Sequence, residues 1–102
     1  SFVALPGAAT RKQIFMIHLR RRKREPARYD LESLADASEG YSGAEIEASV
    51  VAALHDAFAA REELTTERLI RALRESPPLS VTMVERLEGL RAWAAGRCVP
   101  AD

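Results

Sequence analysis

Two short segments carry residue types that could form a binding site. Ile14 and His18 are four residues apart, so on a helix they share one face. Gly43 and Ala44 directly follow Ser42, a typical helix N-cap. In the first turn of a helix their backbone N–H groups would have no intrahelical acceptor, and their side chains are very small. A flat heteroaromatic group could approach that backbone closely, with the aliphatic side chain and the imidazole completing the pocket.

The same residues also have a purely structural interpretation. His18 could be a partly buried helix histidine with a backbone partner, and Gly43-Ala44 could be a tight helix start packed against a neighbour. The residue types alone leave both interpretations open.

The sequence contains no catalytic set. It has no phosphate-binding Gly-x-x-x-x-Gly-Lys, no Ser/His/Asp grouping and no metal-spaced His or Cys pair. His18 and His55 are isolated, and Cys98 is the only cysteine, without an activating neighbour apart from Arg97. We therefore predict no catalytic residue and no metal site, and we do not expect this chain alone to be an enzyme.

Composition favours one small helical domain. Of 102 residues, 47% are hydrophobic and only 6% aromatic, so the apolar residues are mostly Ala, Leu, Val and Ile. Lys plus Arg equal Asp plus Glu, at 15 each, whereas nucleic-acid-binding domains usually carry a basic excess. No apolar run is long enough to span a membrane, no signal peptide is apparent, and the single cysteine fits the cytoplasm. The absence of an initiating Met suggests an excised fragment.

The pattern predicts an all-α fold, a bundle of four helices plus an extra C-terminal helix. The predicted starting points are the region of Gly7 to Thr10, Asp30, Ser42 in a Ser-x-x-Glu capping box, Thr65 or Thr66, and Thr82. The first helix should run from about residue 8 to 22. The third helix has a core stripe, which we predict to contain Ile46, Val50, Ala53, Leu54, Ala57 and Phe58.

The C-terminal helix is predicted to pack on the bundle. Val84, Leu87, Leu90 and Trp93 recur every three residues and are interpreted as ordinary core. Gly96 and Pro100 should end this helix. We divide the chain into residues 1–6, the remnant of an upstream domain, 7–75, a helical domain, and 76–102, the C-terminal extension.

A basic run, Arg20 to Arg24, follows the first helix. The simplest interpretation is a solvated helix end, where the helix dipole stabilises positively charged side chains. A contact with a neighbouring subunit and a contact with nucleic acid are the alternatives.

The two segments resemble the lid domain of the classical AAA-family ATPases. That lid has Pro, a few residues, then Arg-x-x-Ile-(x)3-His, next Asp-Leu-x-x-Leu-Ala, and then Gly-[Phe/Tyr]-Ser-Gly-Ala-[Asp/Glu]-[Ile/Leu]. The matching residues here are Pro6, Arg11, Ile14 and His18, then Asp30, Leu31, Leu34 and Ala35, then Gly40 to Ile46 without a gap. The resemblance covers Phe2 to about Leu73, and the remainder looks like a bacterial and plastid branch of the same family.

The resemblance implies an ATPase parent that binds ATP between a Rossmann-like large domain and this lid. Ile14, His18, Gly43 and Ala44 match positions that line the adenine and ribose pocket. The Walker motifs, the Mg²⁺ ligands and the arginine finger would lie upstream of Ser1. The parent would work as a ring oligomer, usually a homo-hexamer, and would remodel macromolecules such as proteins.

Two other functions compete with the lid. One is a free-standing helical interaction module whose apolar first helix docks a partner protein. The other is a helix-turn-helix DNA binder that uses Arg20 to Arg24, which the balanced charge disfavours.

Overall fold

The computed structural model describes residues 4–97, and this range is all-α, as the sequence predicted. A short 3₁₀ helix, Pro26–Arg28, follows the first helix. The helices are α1 (Ala8–Arg21), α2 (Leu31–Ala37), α3 (Gly43–Ala60), α4 (Thr66–Glu75) and α5 (Leu79–Arg97). Phe2, Cys98 and Pro100, which entered the sequence predictions, lie outside the described residues.

Helices α1 to α4 enclose one hydrophobic core, and we call them the bundle. Phe15 and Leu19 of α1 are fully buried, so this helix contributes a narrow inner face, whereas Ile17 is 45% exposed. The other fully buried large side chains are Leu34, Ile46, Val50, Leu69 and Leu73. The uniformly apolar middle of α1 therefore leaves part of its surface outside the core.

The core stripe of α3 is shorter than predicted. Ile46, Val50, Ala53 and Ala57 are buried, but Phe58 is 86% exposed. At about 100° per residue, Phe58 lies well to the side of the direction in which Ala57 points. The prediction that Phe58 belongs to the core is wrong for this reason.

The predicted helix caps are present at three helix starts. Asp30 accepts a hydrogen bond from the Ser33 N–H at 3.1 Å, and Thr65 accepts one from the Arg68 N–H at 3.2 Å. Ser42 forms the complete capping box at the start of α3. Each cap satisfies an N–H group that the helix itself cannot bond.

Helix α5 begins at Leu79, three residues before the predicted capping residue Thr82. The Leu79 N–H donates to Oε2 of Glu45 on α3 at 2.7 Å, so a residue distant in sequence caps this helix. The Thr82 hydroxyl instead donates to the Leu79 carbonyl, as a residue inside the helix can.

The prediction that Trp93 is a core residue is wrong. None of the residues of α5 is buried, and Trp93 is 56% exposed. Residues three apart are offset by about 60° on a helix, so the series from Val84 to Trp93 winds halfway around α5 instead of forming one face. Contact with the bundle is made at the first turns of α5.

Candidate functional site

Helices α1 and α3 bring three of the four predicted site residues together. A Cβ atom at Gly43 would lie 3.5 Å from Cδ1 of Ile14, so the first turn of α3 rests against α1. One turn further along both helices, Nδ1 of His18 lies 3.5 Å from Oε2 of Glu47. Ile14 and His18 therefore share one face of α1, as their spacing predicted, and this face lies against the first turns of α3.

His18 lies in a polar contact between the two helices. Its residue surface is 9% exposed, and the Arg22 guanidinium donates to the His18 carbonyl at 3.1 Å and approaches the Glu47 carboxylate at 3.6 Å. Burial lowers the pKa of His18 below 6.5, Glu47 opposes this shift, and Arg22 and Arg21 reinforce it. The imidazole is thus favoured in its neutral form, which can donate from one ring nitrogen and accept at the other.

The start of α3 presents backbone N–H groups beside these side chains. The Ser42 hydroxyl accepts from the Glu45 N–H, and the Ser42 carbonyl accepts from the Ile46 N–H. Gly43 and Ala44 are the first two residues of α3, and the helix offers no internal acceptor to their backbone N–H groups. Ala44 is exposed and Gly43 half-buried, so this backbone is accessible beside Ile14.

Arg11 is a buried charged residue whose role in the bundle the sequence reasoning did not anticipate. Its side chain donates to the Ser38 hydroxyl at 3.1 Å, to the Pro6 carbonyl at 2.9 Å and to the Ala35 carbonyl at 2.9 Å. Arg11 thereby connects the segment before α1, at Pro6, to the C-terminal end of α2. Its place in the Arg-x-x-Ile-(x)3-His match was the only signal in the sequence, and a single sequence does not reveal three partners on other segments.

Four residues connect the turn before α3 to α5, and we call them the α5 joint: Gly40, Glu45, Leu79 and Ser80. Glu45 accepts from the Ser42 N–H through Oε1 and from the Leu79 N–H through Oε2. The Ser80 hydroxyl donates to the Gly40 carbonyl at 2.6 Å. Gly40 has φ +84°, and a Cβ there would lie 3.2 Å from the Ser80 hydroxyl oxygen, so both conformation and space favour glycine.

The basic run forms the end of α1. Arg22 donates to the His18 carbonyl, Arg24 donates to the Arg22 carbonyl at 2.9 Å, and Lys23 has φ +60°. These contacts satisfy carbonyl groups at the helix C-terminus, where positive charge is stabilising. They agree with the interpretation of this run as a helix end.

Residues 4–97 contain no group of three or more His, Cys, Asp or Glu side chains placed to hold a metal ion. In the same range, no helix combines the length and apolar character required to cross a membrane.

Comparison with known proteins finds relatives that share one name and match nearly the whole chain. The chain is 38% identical over 94 residues, 91% of its length, to the AAA domain-containing protein ycf46 of Pyropia yezoensis. It is 38% identical over 95 residues to the protein of the same name from Guillardia theta and 36% identical over 95 residues to that of Trieres chinensis, in each case 92% of the chain. This chain is a relative of the AAA domain-containing proteins.

The relationship to the AAA proteins covers one part of those longer sequences. The chain spans about a fifth, 19%, of the length of the curated AAA relatives it matches. No family model and no solved structure matches the chain. The AAA relationship agrees with the family that the motifs from Pro6 to Ile46 indicated.

Proposed function

We propose that this chain is the lid of an ATP-binding AAA ATPase, and that it contacts adenine and ribose through Ile14, His18, Gly43 and Ala44. The main support is the meeting of Ile14 with the first turn of α3, since it places an aliphatic side chain beside accessible backbone. The AAA relatives give the family background.

The chemistry of these residues suits a nucleoside better than a phosphate. The Ile14 side chain offers an apolar surface for a flat base, and small residues at positions 43 and 44 allow a base to come near the backbone. The neutral form of His18, favoured by burial, can exchange hydrogen bonds with hydroxyl groups or ring nitrogens. Phosphates and Mg²⁺ would be held by the large domain of the parent.

The proposed mechanism is mechanical. Nucleotide contact at the start of α3 would bias the angle of the lid relative to the large domain, because a ligand shifts a conformational equilibrium by its differential affinity. That rigid-body angle would report the nucleotide state to a neighbouring subunit of the ring. Glu45 of the α5 joint also accepts from the Ser42 N–H in the same turn, so α5 would move with it.

The experiment is Gly43→Val in the full-length parent protein. A Cβ at position 43 makes only ordinary van der Waals contact with Ile14, and valine has a better helix propensity than glycine, so the lid should fold. The branched methyl groups would occupy the space proposed for the base. We expect nucleotide affinity, measured by calorimetry, to fall on the order of tenfold or more.

Ala57→Val is the matched control, since Ala57 is buried in the same helix away from the proposed pocket. It should lower the melting temperature more than it lowers nucleotide affinity, because it overpacks the core. If Gly43→Val leaves affinity unchanged in a folded parent, the Gly-Ala pair is packing only, and the nucleotide role of Ile14 and His18 loses its main support.

A further inference from the structure

Helix α5 carries an apolar stripe that the bundle does not cover. Leu79, Met83, Leu87 and Leu90 are between 45% and 64% exposed. Their spacings of four, four and three residues place them within about 80° of arc on the helix. We call these four residues the outer stripe.

The outer stripe lies on a different side of α5 from the bundle. A shallow groove between α5 and the turn at Gly40 is lined on the α5 side by Ser80, Val81, Val84 and Glu85. The centre of this set is more than about 100° around the helix from the centre of the outer stripe. Rocking α5 toward the groove would therefore leave the stripe exposed.

The charges of α5 are distributed unevenly around this stripe. At about 100° per residue, Arg86 and Arg91 lie within about 40° of its two edges, one on each side. Glu85 and Glu88 lie about 100° or more from the stripe, toward the bundle. Trp93, with the Arg97 guanidinium 4.8 Å above its ring, extends the Arg86 edge.

We propose that the outer stripe binds an amphipathic helix of a partner protein whose apolar seam is bordered by acidic side chains. Burial of four large aliphatic side chains would provide the affinity, and carboxylates facing Arg86 and Arg91 would set partner choice. The outer stripe has about one apolar residue per helical turn, which is the spacing found where two helices pack side by side. This inference does not depend on nucleotide binding.

Two other occupants fit the stripe less well. A second copy would bring its own arginine-bordered stripe, with no carboxylate near the seam to offset the charges. A bilayer surface favours a broad apolar face opposite a strongly charged face, whereas the far side of α5 carries Val81 and Ala92 between its two glutamates.

The test uses the 102-residue chain and a three-heptad synthetic peptide with a leucine seam and Glu at the flanking positions. A second peptide carries Lys at the same flanking positions. Trp93 is the only tryptophan, so its fluorescence reports coverage of the stripe. We expect the Glu peptide to shift Trp93 emission to the blue and to bind roughly tenfold more tightly than the Lys peptide.

Charge reversal separates this recognition from simple hydrophobic contact. Arg86→Glu with Arg91→Glu should reverse the preference, so that the Lys peptide binds more tightly. Arg71→Glu with Arg74→Glu, on exposed positions of α4, makes the same change in net charge and should preserve the original preference. Leu87→Ser with Leu90→Ser should abolish binding of both peptides while the bundle stays folded, since α5 contributes no buried residue.

Several results would overturn the proposal. Equal binding of both peptides, or no binding, would show that the arginines select nothing. Sedimentation showing that the chain dimerises through the stripe and excludes the peptide would assign it to a second copy. A blue shift with vesicles of anionic phospholipid, without one for the Glu peptide, would assign it to a membrane.

Discussion

At the scale of single residues, the interface between α1 and α3 combines a buried imidazole with an ion pair. His18, Arg22 and Glu47 contact one another at 3.4 to 3.6 Å, and His18 belongs to the proposed nucleotide contact. His18 therefore links the candidate site to pH, because burial lowers the pKa of its imidazole.

His18 should make the fold less stable in mild acid. Its pKa is below 6.5 in the folded chain because burial, together with Arg22 and Arg21, outweighs the Glu47 carboxylate. The unfolded chain then binds the proton more readily, so the free energy of unfolding falls as the pH drops below about 6.5. Chemical denaturation at about pH 7 and pH 5.5 should show a smaller loss for His18→Gln than for the natural chain.

Glu47→Gln is the control for this pH effect. It removes the carboxylate that favours protonated His18, so the loss of stability toward acid should become steeper. An identical pH dependence in all three chains would show that His18 is not the responsible group.

Arg11 should be needed for bundle stability in a way that lysine cannot replace. Its guanidinium reaches three acceptors in different directions, whereas a lysine ammonium on a flexible stem is a point charge. We expect Arg11→Lys to cost about 1–3 kcal/mol in urea denaturation, because buried acceptors lose their donors. Lys12→Arg, at the neighbouring half-buried position, should change stability by less than about 0.5 kcal/mol.

At the scale of elements, helix ends connect segments that are distant in the chain. Thr66 on α4 accepts from the Asp30 N–H before α2, and the Tyr41 hydroxyl donates to the Leu73 carbonyl. Glu45 caps α3 and α5 at once. The first turn of α3 is consequently tied both to the bundle and to the projecting helix.

Glu45→Gln should loosen the start of α5. Glutamine can accept through only one of its two terminal atoms, so it cannot serve both the Ser42 and the Leu79 N–H groups. We expect faster amide hydrogen exchange at Leu79 and little change at core amides such as that of Val50. Exchange measured by NMR tests this directly, and unchanged exchange at Leu79 would show that the joint does not restrain α5.

The same carboxylate gives the joint a pH dependence. Burial, the largest single influence, raises the pKa of Glu45, but hydrogen bonds with Leu79 and Ser42 together bring it below 4.5. The contribution of Glu45 to stability is therefore present above about pH 4.5 and is lost as the pH falls through the lower folded value. The protection factor of the Leu79 amide, which corrects for the slower intrinsic exchange in acid, should fall in that acid range in the natural chain but not in Glu45→Gln.

At the scale of the whole molecule, an uncovered helix projects from a closed bundle. The chain extends 67 Å along its longest axis and only 30 and 22 Å along the others. Stability should accordingly reside in the bundle, while α5 remains available for contacts with other molecules.

Trp93→Ala should therefore change the free energy of unfolding by less than about 1 kcal/mol, as for an exposed residue. Leu69→Ala, which removes a fully buried side chain from the bundle, should cost about 2–5 kcal/mol. Equilibrium denaturation followed by far-UV circular dichroism compares the two. A large loss for Trp93→Ala would mean that α5 packs on the bundle in solution.

The sequence by itself determined the all-α class, the caps at Asp30, Ser42 and Thr65, and the shared helix face of Ile14 and His18. These features depend on local rules: helical periodicity, hydrogen bonds within three residues, and the shared face of residues four apart. The nucleotide role of Ile14, His18, Gly43 and Ala44 comes from the family resemblance and stays a prediction.

Only the tertiary structure decided the start of α5, the contact of Ile14 with the start of α3, the lack of cover over α5 and the burial of Arg11. Glu45 is 34 residues before Leu79, and the partners of Arg11 lie up to 27 residues away, so no local pattern contains these bonds. Apolar residues on α5 satisfy helix periodicity equally well with or without a covering partner. Whether such a face is buried depends on which elements the fold brings beside it, and here the bundle closes without α5.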